Sequence, residues 1–245
     1  MARQPDIATQ ASLLGLPREI RDLIYLNLIP QRTCPPENPN NAGDREPDAS
    51  SPCTTFFEVV SPKPAMLQLK LCNRQLYEEV HHISRKHLWF HNGAAHLDIM
   101  VKGSSIWPTW ILLPVTPYLD PVVDVTLRIF EATGWGSEFS TRAYRALWTL
   151  FRLLVFHGSC LNHNTRGLAT PLDITRLRFD VRLCFPTSVD DLFGTYRDVF
   201  GKIEKLAFDN VGLGHIASIE ACLGDDKRVW RLKQLPTGLT WASRV

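Results

Sequence analysis

The second half of the chain alternates between strand-type and helix-type hydrophobic patterns, and no other feature limits its possible folds as strongly. The segments PVVDVTLRIF and TRLRFDVRL each place an apolar residue at every second position, which is typical of a half-buried strand. Ser140 can cap a helix between them, whose apolar residues are Tyr144, Leu147, Trp148, Phe151, Leu154 and Val155. The order strand, helix, strand predicts parallel strands joined by right-handed crossovers.

The same order continues towards the C-terminus. Ser188 and Asp191 form a capping box for a second helix, whose apolar stripe is Leu192, Phe193, Tyr196, Val199 and Phe200. We predict a third strand in IEKLAFDN and a last short helix over residues 216–223. Because ITRLRF and IEKLAF share an I-x-x-L-x-F pattern, an irregular leucine-rich-repeat-like sheet is one form that this region can take.

Upstream of this region, Leu97, Ile99 and Val101 alternate with polar or flexible residues and predict one more strand. Residues 106–121 contain four prolines and two tryptophans, which indicates an irregular apolar connection. The sequence therefore predicts an α/β region over residues 91–245.

Two amphipathic helices precede the α/β region. The first lies in SLLGLPREIRDLIYLNLIP, with Pro17 at its first turn and Pro30 at its end. Its apolar face comprises Leu16, Ile20, Leu23, Ile24 and Leu28. The second lies within residues 65–90, and its apolar face comprises Leu69, Cys72, Leu76, Val80 and Ile83. The fold class is therefore α+β, with an N-terminal helical segment over residues 12–90.

The two helices are separated by a segment of a different composition. Residues 30–64 contain eight of the seventeen prolines, with the polar run ENPNNAGDREPDASS between them. Such a segment buries too little apolar surface to offset its ordering entropy. We therefore predict a flexible insert at about residues 31–64, with a mobile loop over roughly 37–54 and a short strand over 56–60.

The composition excludes several classes of protein. The 27 basic and 25 acidic residues leave a formal charge of +2, without the basic excess of a nucleic-acid-binding protein. No apolar run reaches the length of about 20 residues that a membrane span needs. None of the six cysteines forms a C-x-x-C pair, and we predict Cys72, Cys184 and Cys222 to be reduced residues in or near the core. Cytoplasm or nucleus is the expected location.

No catalytic motif is present in the sequence. It lacks a phosphate-binding loop, a G-x-G-x-x-G turn after a strand and a G-x-S-x-G elbow. His87 and His91 are four residues apart but have no cysteine or carboxylate that completes a ligand set, so we expect no metal and no cofactor. The chain is thus predicted not to be an enzyme. An enzyme of unrecognised class would need a pocket formed by the loops at 131–139, 183–188 and 209–215.

Two motifs resemble those of fungal F-box-like proteins. In LLGLPREIRDLIYLNLIP, the family's L-P-x-E-I-x-x-x-I-[YF] core is matched by Leu16, Pro17, Glu19, Ile20, Ile24 and Tyr25. In LQLKLCNRQLYEEV, the helix L-L-x-V-C-R-Q-I-Y-x-E-A is matched by Leu69, Cys72, Arg74, Gln75, Tyr77 and Glu79. Glu19-Ile20-Arg21 also resembles the E-x-R motif of a related fungal family. The two motifs together cover about 35 residues, counted on the printed sequence.

The resemblance implies a function. In F-box proteins the helical segment binds the Skp1 adaptor of cullin-RING ubiquitin ligases, and the C-terminal domain recruits a protein substrate. The implied Skp1-facing residues are Leu16, Pro17, Ile20, Ile24, Leu28, Leu76 and Val80. An alternative is a stand-alone fungal scaffold or interaction protein, in which the N-terminal helices are buried in the chain's own core. The two alternatives differ in whether Leu16, Pro17 and Ile24 are exposed.

Overall fold

The computed structural model describes residues 12–28, 34–48, 54–59, 69, 72–88, 94–112, 122–131, 138–157, 172–185, 189–209, 215–234 and 240–244. The chain divides into two compact units. The helical unit comprises Met1–Gln31 and Lys63–Phe90, and the sheet unit comprises Arg32–Pro62 and His91–Val245. The Pro-rich segment up to residue 62 thus groups with the sheet and not with the helices that flank it in sequence.

The helical unit contains the two predicted amphipathic helices, α1 (Arg18–Leu28) and α2 (Arg74–Leu88). Pro17 directly precedes α1, where its missing N–H costs nothing, and its carbonyl accepts hydrogen bonds from the amides of Ile20 and Arg21. The first predicted helix is therefore confirmed over α1. The second is confirmed over α2, whereas most of residues 65–71 lie outside the described residues.

The sheet unit has a mixed sheet of nine strands in the described part of the chain. They are β1 (Arg45–Pro47), β2 (Thr54–Glu58), β3 (Ala95–Lys102), β4 (Ser105–Leu112), β5 (Val122–Ile129), β6 (Arg176–Leu183), β7 (Ser218–Leu223), β8 (Asp226–Gln234) and β9 (Thr240–Arg244). Their order across the sheet is β1-β2-β4-β3-β5-β6-β7-β8-β9. The central strands β3, β5, β6 and β7 run parallel. The parallel pairing of β5 with β6 is the one that the alternating pattern predicts.

Two long helices connect the central strands. Helix α3 (Glu138–His157) follows β5, and helix α4 (Val189–Phe208) follows β6. Their apolar stripes pack with the inward side chains of the strands into one core, where Phe151 of α3 meets Phe179 of β6 edge to face at 5.3 Å. The predicted order is confirmed from its first strand to its second helix, which are β5, α3, β6 and α4, and the chain is a mixed α+β protein.

The third strand of that order is not where the sequence analysis placed it. The segment IEKLAF, predicted as a strand, is the last part of α4. Ile203, Leu206 and Ala207 are all buried, and this spacing of three and four continues the helical stripe begun by Val199. A strand would instead have buried every second residue. Of the two copies of the I-x-x-L-x-F pattern, ITRLRF therefore lies at the strand β6 and IEKLAF lies in the helix α4. The pattern is not a structural repeat.

Residues 216–223 were predicted to form a helix, which is wrong, because Ser218–Leu223 is β7. Ile219, Ala221 and Leu223 are buried at every second position. Ile216, Ile219 and Leu223 happen also to lie at spacings of three and four, and short apolar runs carry this ambiguity. A tight turn with Gly224 at φ 58° leads from β7 into β8.

The prediction of an irregular connection over residues 106–121 is wrong for its described residues. Ser105–Leu112 forms β4, which pairs antiparallel with β3 through a turn at Gly103, φ 63°. Pro108 lies inside this strand opposite Ile99. The strand tolerates the missing N–H of Pro108 because β2 pairs with β4 only at Ser105 and Ile106. Position 108 therefore lies beyond the part of β4 that forms hydrogen bonds with β2.

The mobile loop predicted over roughly 37–54 is also wrong where the structure describes it. Arg45–Pro47 forms β1, which pairs with β2. The strand β2 confirms the short strand that was predicted in this region. The guanidinium of Arg45 donates to the carbonyl of Pro108 at 2.7 Å and to the hydroxyl of Thr109 at 2.6 Å, and its side chain is only 3% exposed. One buried cation therefore fastens the Pro-rich segment to β4. Residues 49–53 lie outside the described residues.

Candidate functional site

A buried carboxylate joins the two helices of the helical unit. Glu79 of α2 is 4% exposed and accepts two hydrogen bonds from the Arg21 guanidinium, at 2.9 and 2.6 Å. It also accepts one from the Tyr25 hydroxyl at 2.8 Å and one from the Gln75 side-chain amide at 2.9 Å. We call these four residues the Glu79 clamp. They fix the rotation of α1 against α2, because Arg21 and Tyr25 lie one turn apart on the same face of α1.

Charge and hydrogen bonding stabilise the ionised form of the clamp. The bonds from Arg21 hold the pKa of Glu79 down to about 2, against the opposing effect of burial. Burial first, and the bond to Glu79 second, raise the pKa of Tyr25 to about 12. The Arg21 guanidinium also donates to the carbonyls of Leu14 and Leu16, which ties the turn before α1 to the same centre. All the titratable groups of the clamp thus keep one protonation state near neutral pH, which suits a structural ion pair and not acid–base chemistry.

An apolar cluster lies beside the clamp. Tyr25, Leu76, Val80 and Ile83 form its buried centre. The side chains packed around that centre are half-buried: Leu13, Leu14, Leu26, Leu28 and Leu69. The cluster and the clamp together use one face of α1 to hold α2. The opposite face of α1 is left free of both.

That opposite face is apolar and exposed. Ile20 is 44% exposed and Leu23 is 55% exposed, and both are among the few large hydrophobic side chains on the described surface. Pro17 is exposed and Ile24 is half-buried beside them. These four residues, which we call the α1 patch, recur at spacings of three and four and therefore form one stripe on the helix. An apolar stripe of this kind on a short, fixed helix is typical of a surface that another protein covers.

The predicted partner-facing residues fall into two groups. Pro17, Ile20 and Ile24 belong to the α1 patch, while Leu16 is half-buried at its N-terminal end and Leu28 packs partly against the apolar cluster.

Leu76 and Val80 were also expected to face a partner, but they are 6% and 0% exposed. They point into the apolar cluster because the clamp turns that face of α2 towards α1, so their role here is internal packing.

Sequence reasoning missed two features of this site. Leu23 is 55% exposed on the α1 patch. The sequence analysis placed it on the apolar face of the helix but left it out of the partner-facing residues, because it lies outside the matched motif. The Arg21–Glu79 pair was also missed. The opposite charges in the two motifs were its signal, since one motif contains E-x-R and the other contains the glutamate. Motif residues Tyr25 and Glu79 are thus explained by the clamp.

In the sheet unit, a mostly apolar cleft of about 510 Å³ lies against α3. It is lined by Tyr144, Arg145, Trp148, Thr149 and Asp209. The Tyr144 hydroxyl donates to the Asp209 carboxylate, and burial together with this bond raises the pKa of Tyr144 well above its usual value. A tyrosine that holds its proton so firmly is a poor base or nucleophile near neutral pH.

Metal and thiol chemistry find little support in the described parts of the chain. No three histidine, cysteine or acidic side chains within the described ranges lie close enough to hold a metal ion. The His87 side chain and His91 lie outside those ranges, as do most residues of the loops at 131–139, 183–188 and 209–215. Cys72 and Cys184 are exposed, contrary to the prediction that they lie in or near the core, whereas Cys222 is half-buried.

The geometry thus defines a two-unit α+β protein with an exposed apolar patch on a clamped helix. None of the helices among the described residues combines the length and apolar character needed to cross a bilayer. Comparisons with protein-family models, curated proteins and solved structures give no match to this chain.

Proposed function

We propose that the chain is a protein-interaction adaptor whose α1 patch docks onto a Skp1-like protein, as in an F-box-type substrate receptor of a cullin ubiquitin ligase. In this proposal the sheet unit recruits a protein substrate, and the chain acts in the cytoplasm or nucleus without catalytic activity of its own. The observation that carries the proposal is the exposure of Ile20 and Leu23 on a helix whose other face is fixed by the Glu79 clamp.

The geometry of α1 supports docking for an energetic reason. A helix that is already held in place loses little conformational freedom when a partner binds it. Fully burying a leucine-sized side chain contributes about 1.5–3 kcal/mol. Because Ile20 and Leu23 are 44% and 55% exposed, a partner that covers them gains about half of that amount from each. Residues of this kind at the centre of an interface usually dominate its binding energy.

The motif resemblance supports the choice of partner. Pro17, Ile20 and Ile24 belong both to the F-box-like motif and to the α1 patch, whereas Tyr25 and Glu79 belong to the motifs and to the clamp. Some motif residues therefore hold the two helices together, and the others belong to the surface patch of α1.

The stand-alone scaffold remains the second candidate. It requires the N-terminal helices to be buried in the chain's own core, with Leu16, Pro17 and Ile24 inaccessible. Pro17 is exposed, and Leu16 and Ile24 are half-buried. This exposure favours the adaptor over the scaffold, although the burial of Leu76 and Val80 is what the scaffold predicts for those two positions.

Isothermal titration of purified Skp1 into the full chain tests the proposal. We expect binding by the wild-type chain, and a loss of affinity of at least about tenfold for Ile20→Asp and for Leu23→Asp, because each places a charge in a desolvated contact. Phe208→Asp is the matched control, since Phe208 is 53% exposed but lies at the end of α4 in the sheet unit.

All three substitutions affect exposed side chains, so each variant is expected to fold within about 0.5 kcal/mol of the wild-type stability. Failure of the wild-type chain to bind Skp1 would contradict the proposed partner. Equal weakening by Phe208→Asp and by the two patch variants would contradict the proposed docking surface.

A further inference from the structure

The central sheet has an unusual second face. Strands of parallel sheets are normally covered on both faces, but here α3 and α4 share one core on a single face. Inward residues such as Phe179 and Ile219 belong to that core, and the residues between them face the other way. On β6, β7 and β8 these outward residues are Arg176, Arg178, Asp180, Arg182, Ser218, Glu220, Cys222, Lys227, Val229 and Arg231. We call this set the outer face.

Next to the outer face, the Pro-rich segment covers the sheet at β3 and β5. Arg128 of β5 donates to the carbonyls of Pro36 and Glu37 at 2.6 and 3.0 Å and forms a two-bond pair with Asp98 of β3, which is 2% exposed. Beyond β5, outward side chains of the described strands reach the surface. Those of Arg178, Arg182 and Lys227 are 44%, 61% and 57% exposed.

The outer face carries a net positive charge. It holds five cationic residues, Arg176, Arg178, Arg182, Lys227 and Arg231, against two acidic ones, Asp180 and Glu220. Asp124 of the neighbouring β5 lies in register with Arg178 on the same side of the sheet, so the excess is two charges. The sheet therefore gathers cations that are scattered through the sequence between residues 176 and 231 onto one surface.

Two of these cations are available to a partner. Arg178, Arg182 and Lys227 pair with Asp124, Asp180 and Glu220, respectively. Among the described residues, by contrast, no acidic side chain pairs with the exposed Arg176 or Arg231. An arginine that has no carboxylate partner within the protein breaks no ion pair when it binds a carboxylate of a ligand. It loses only weakly bound water, so the exchange costs little.

The register brings these two arginines to the same end of the outer face. Ser218 of β7 lies directly opposite Arg231 of β8. On its other side, Leu177 of β6 lies opposite Ile219 of β7, so Arg176, one residue before Leu177, is the neighbour of Ser218. Arg176 and Arg231 thus lie on either side of Ser218, two strands or roughly 10 Å apart. Same-side residues of an extended peptide repeat at about 6.6 Å, so this distance lies between one repeat and two, and the long arginine side chains span the difference.

We propose that the outer face binds an acidic peptide segment of a partner protein, with Arg176 and Arg231 as its two anchoring cations. This inference rests on the proposed function only in identifying that partner as a substrate. A peptide fits better than a single-stranded nucleic acid because, within described β6–β8, the aromatic residues Phe179 and Trp230 are buried on the core side. Single-stranded nucleic acids are generally held by exposed aromatic side chains in addition to charge.

The test measures binding of a fluorescein-labelled ten-residue peptide of alternating glutamate and serine to the full chain, by fluorescence anisotropy without Skp1. We expect saturable binding that weakens on going from 50 to 300 mM salt. The double variant Arg176→Ala/Arg231→Ala should bind about tenfold more weakly. The control Arg145→Ala/Arg197→Ala removes two exposed arginines from α3 and α4, on the other side of the sheet, and should bind as the wild type does.

Melting temperatures of the two double variants should match, because all four side chains are exposed. Three results would each overturn the proposal: no binding of the peptide by the wild-type chain, equal weakening in both double variants, or tighter binding of a ten-nucleotide oligothymidine than of the peptide. Because Skp1 is absent, failure here leaves the docking role of the α1 patch untouched, and the titration with Skp1 is likewise independent of this face.

Discussion

Glu79→Gln isolates the contribution of the clamp, because glutamine keeps the shape of the side chain and removes only its charge and one acceptor. In the wild-type chain the two carboxylate oxygens accept four hydrogen bonds, from Arg21, Tyr25 and Gln75. An amide offers one oxygen, and its NH₂ group faces groups that are themselves donors. The substitution thus leaves the Arg21 charge without its buried counter-charge.

The expected cost follows from the burial of the pair. Removing one partner of a buried ion pair typically costs about 3–5 kcal/mol, because the other charge remains desolvated. The amide oxygen still accepts one bond, so we expect the lower end of this range, about 3 kcal/mol, for the stability of the helical unit. Since about 1.4 kcal/mol corresponds to a factor of ten, the population of the open helical unit should rise about 150-fold.

Native-state hydrogen exchange of the full chain measures this opening directly, because it reports each unit separately. Amides of α1 and α2 should exchange about 150-fold faster in Glu79→Gln, while amides of α3 and β6 remain unchanged. Glu78→Gln is the matched control, since Glu78 is 63% exposed and its pair with Arg74 is worth less than about 1 kcal/mol. Equal acceleration in the two variants, or none in Glu79→Gln, would refute the role of the clamp.

Two further perturbations are expected to have measurable effects. Because the pKa of Glu79 lies near 2 instead of its ordinary 4.5, the unfolded unit binds the proton first on acidification. The stability that the clamp contributes should therefore be complete above about pH 4.5 and lost as the pH falls towards 2, and an acid titration of α1 and α2 exchange that showed no such decline, or the same decline in Glu79→Gln, would contradict this. Arg45→Ala should cost about 2–4 kcal/mol of sheet-unit stability in urea unfolding, because it leaves buried oxygens on β4 unpaired. Glu46→Ala, at an exposed neighbouring position, should cost less than about 0.5 kcal/mol, and equal effects of the two would show that Arg45 does not anchor the Pro-rich segment.

Hydrophobic periodicity correctly predicted the strands and helices that bury only one of their faces. The strands β5 and β6 alternate without interruption, and α1 and α3 repeat apolar residues over several turns, so one period fits each segment much better than the other. The conformations of β7 and of the end of α4 were predicted wrongly. β7 and the last turns of α4 contain short apolar runs that fit both periods, and long-range pairing with β6 and β8 decides the conformation of β7.

Composition misled the prediction where a single tertiary contact outweighs it. Proline-rich, polar residues near Arg45 have little local tendency to fold, but the burial of that one side chain against β4 orders them. The same limit applies to the candidate sites. Exposure of Leu23 and burial of Leu76 both depend on how the clamp rotates α1 against α2, and the outer face exists only because the sheet brings Arg176 and Arg231 side by side.

Site-specific photocrosslinking tests the central claim, that the clamp displays the α1 patch for a Skp1-like partner. Chains carrying p-azidophenylalanine in place of Leu23 or in place of Phe208 are irradiated with purified Skp1. We predict a covalent product from position 23 and none from position 208, since both side chains are similarly exposed but only the first lies on the patch. No product from position 23, or equal products from the two positions, would contradict it.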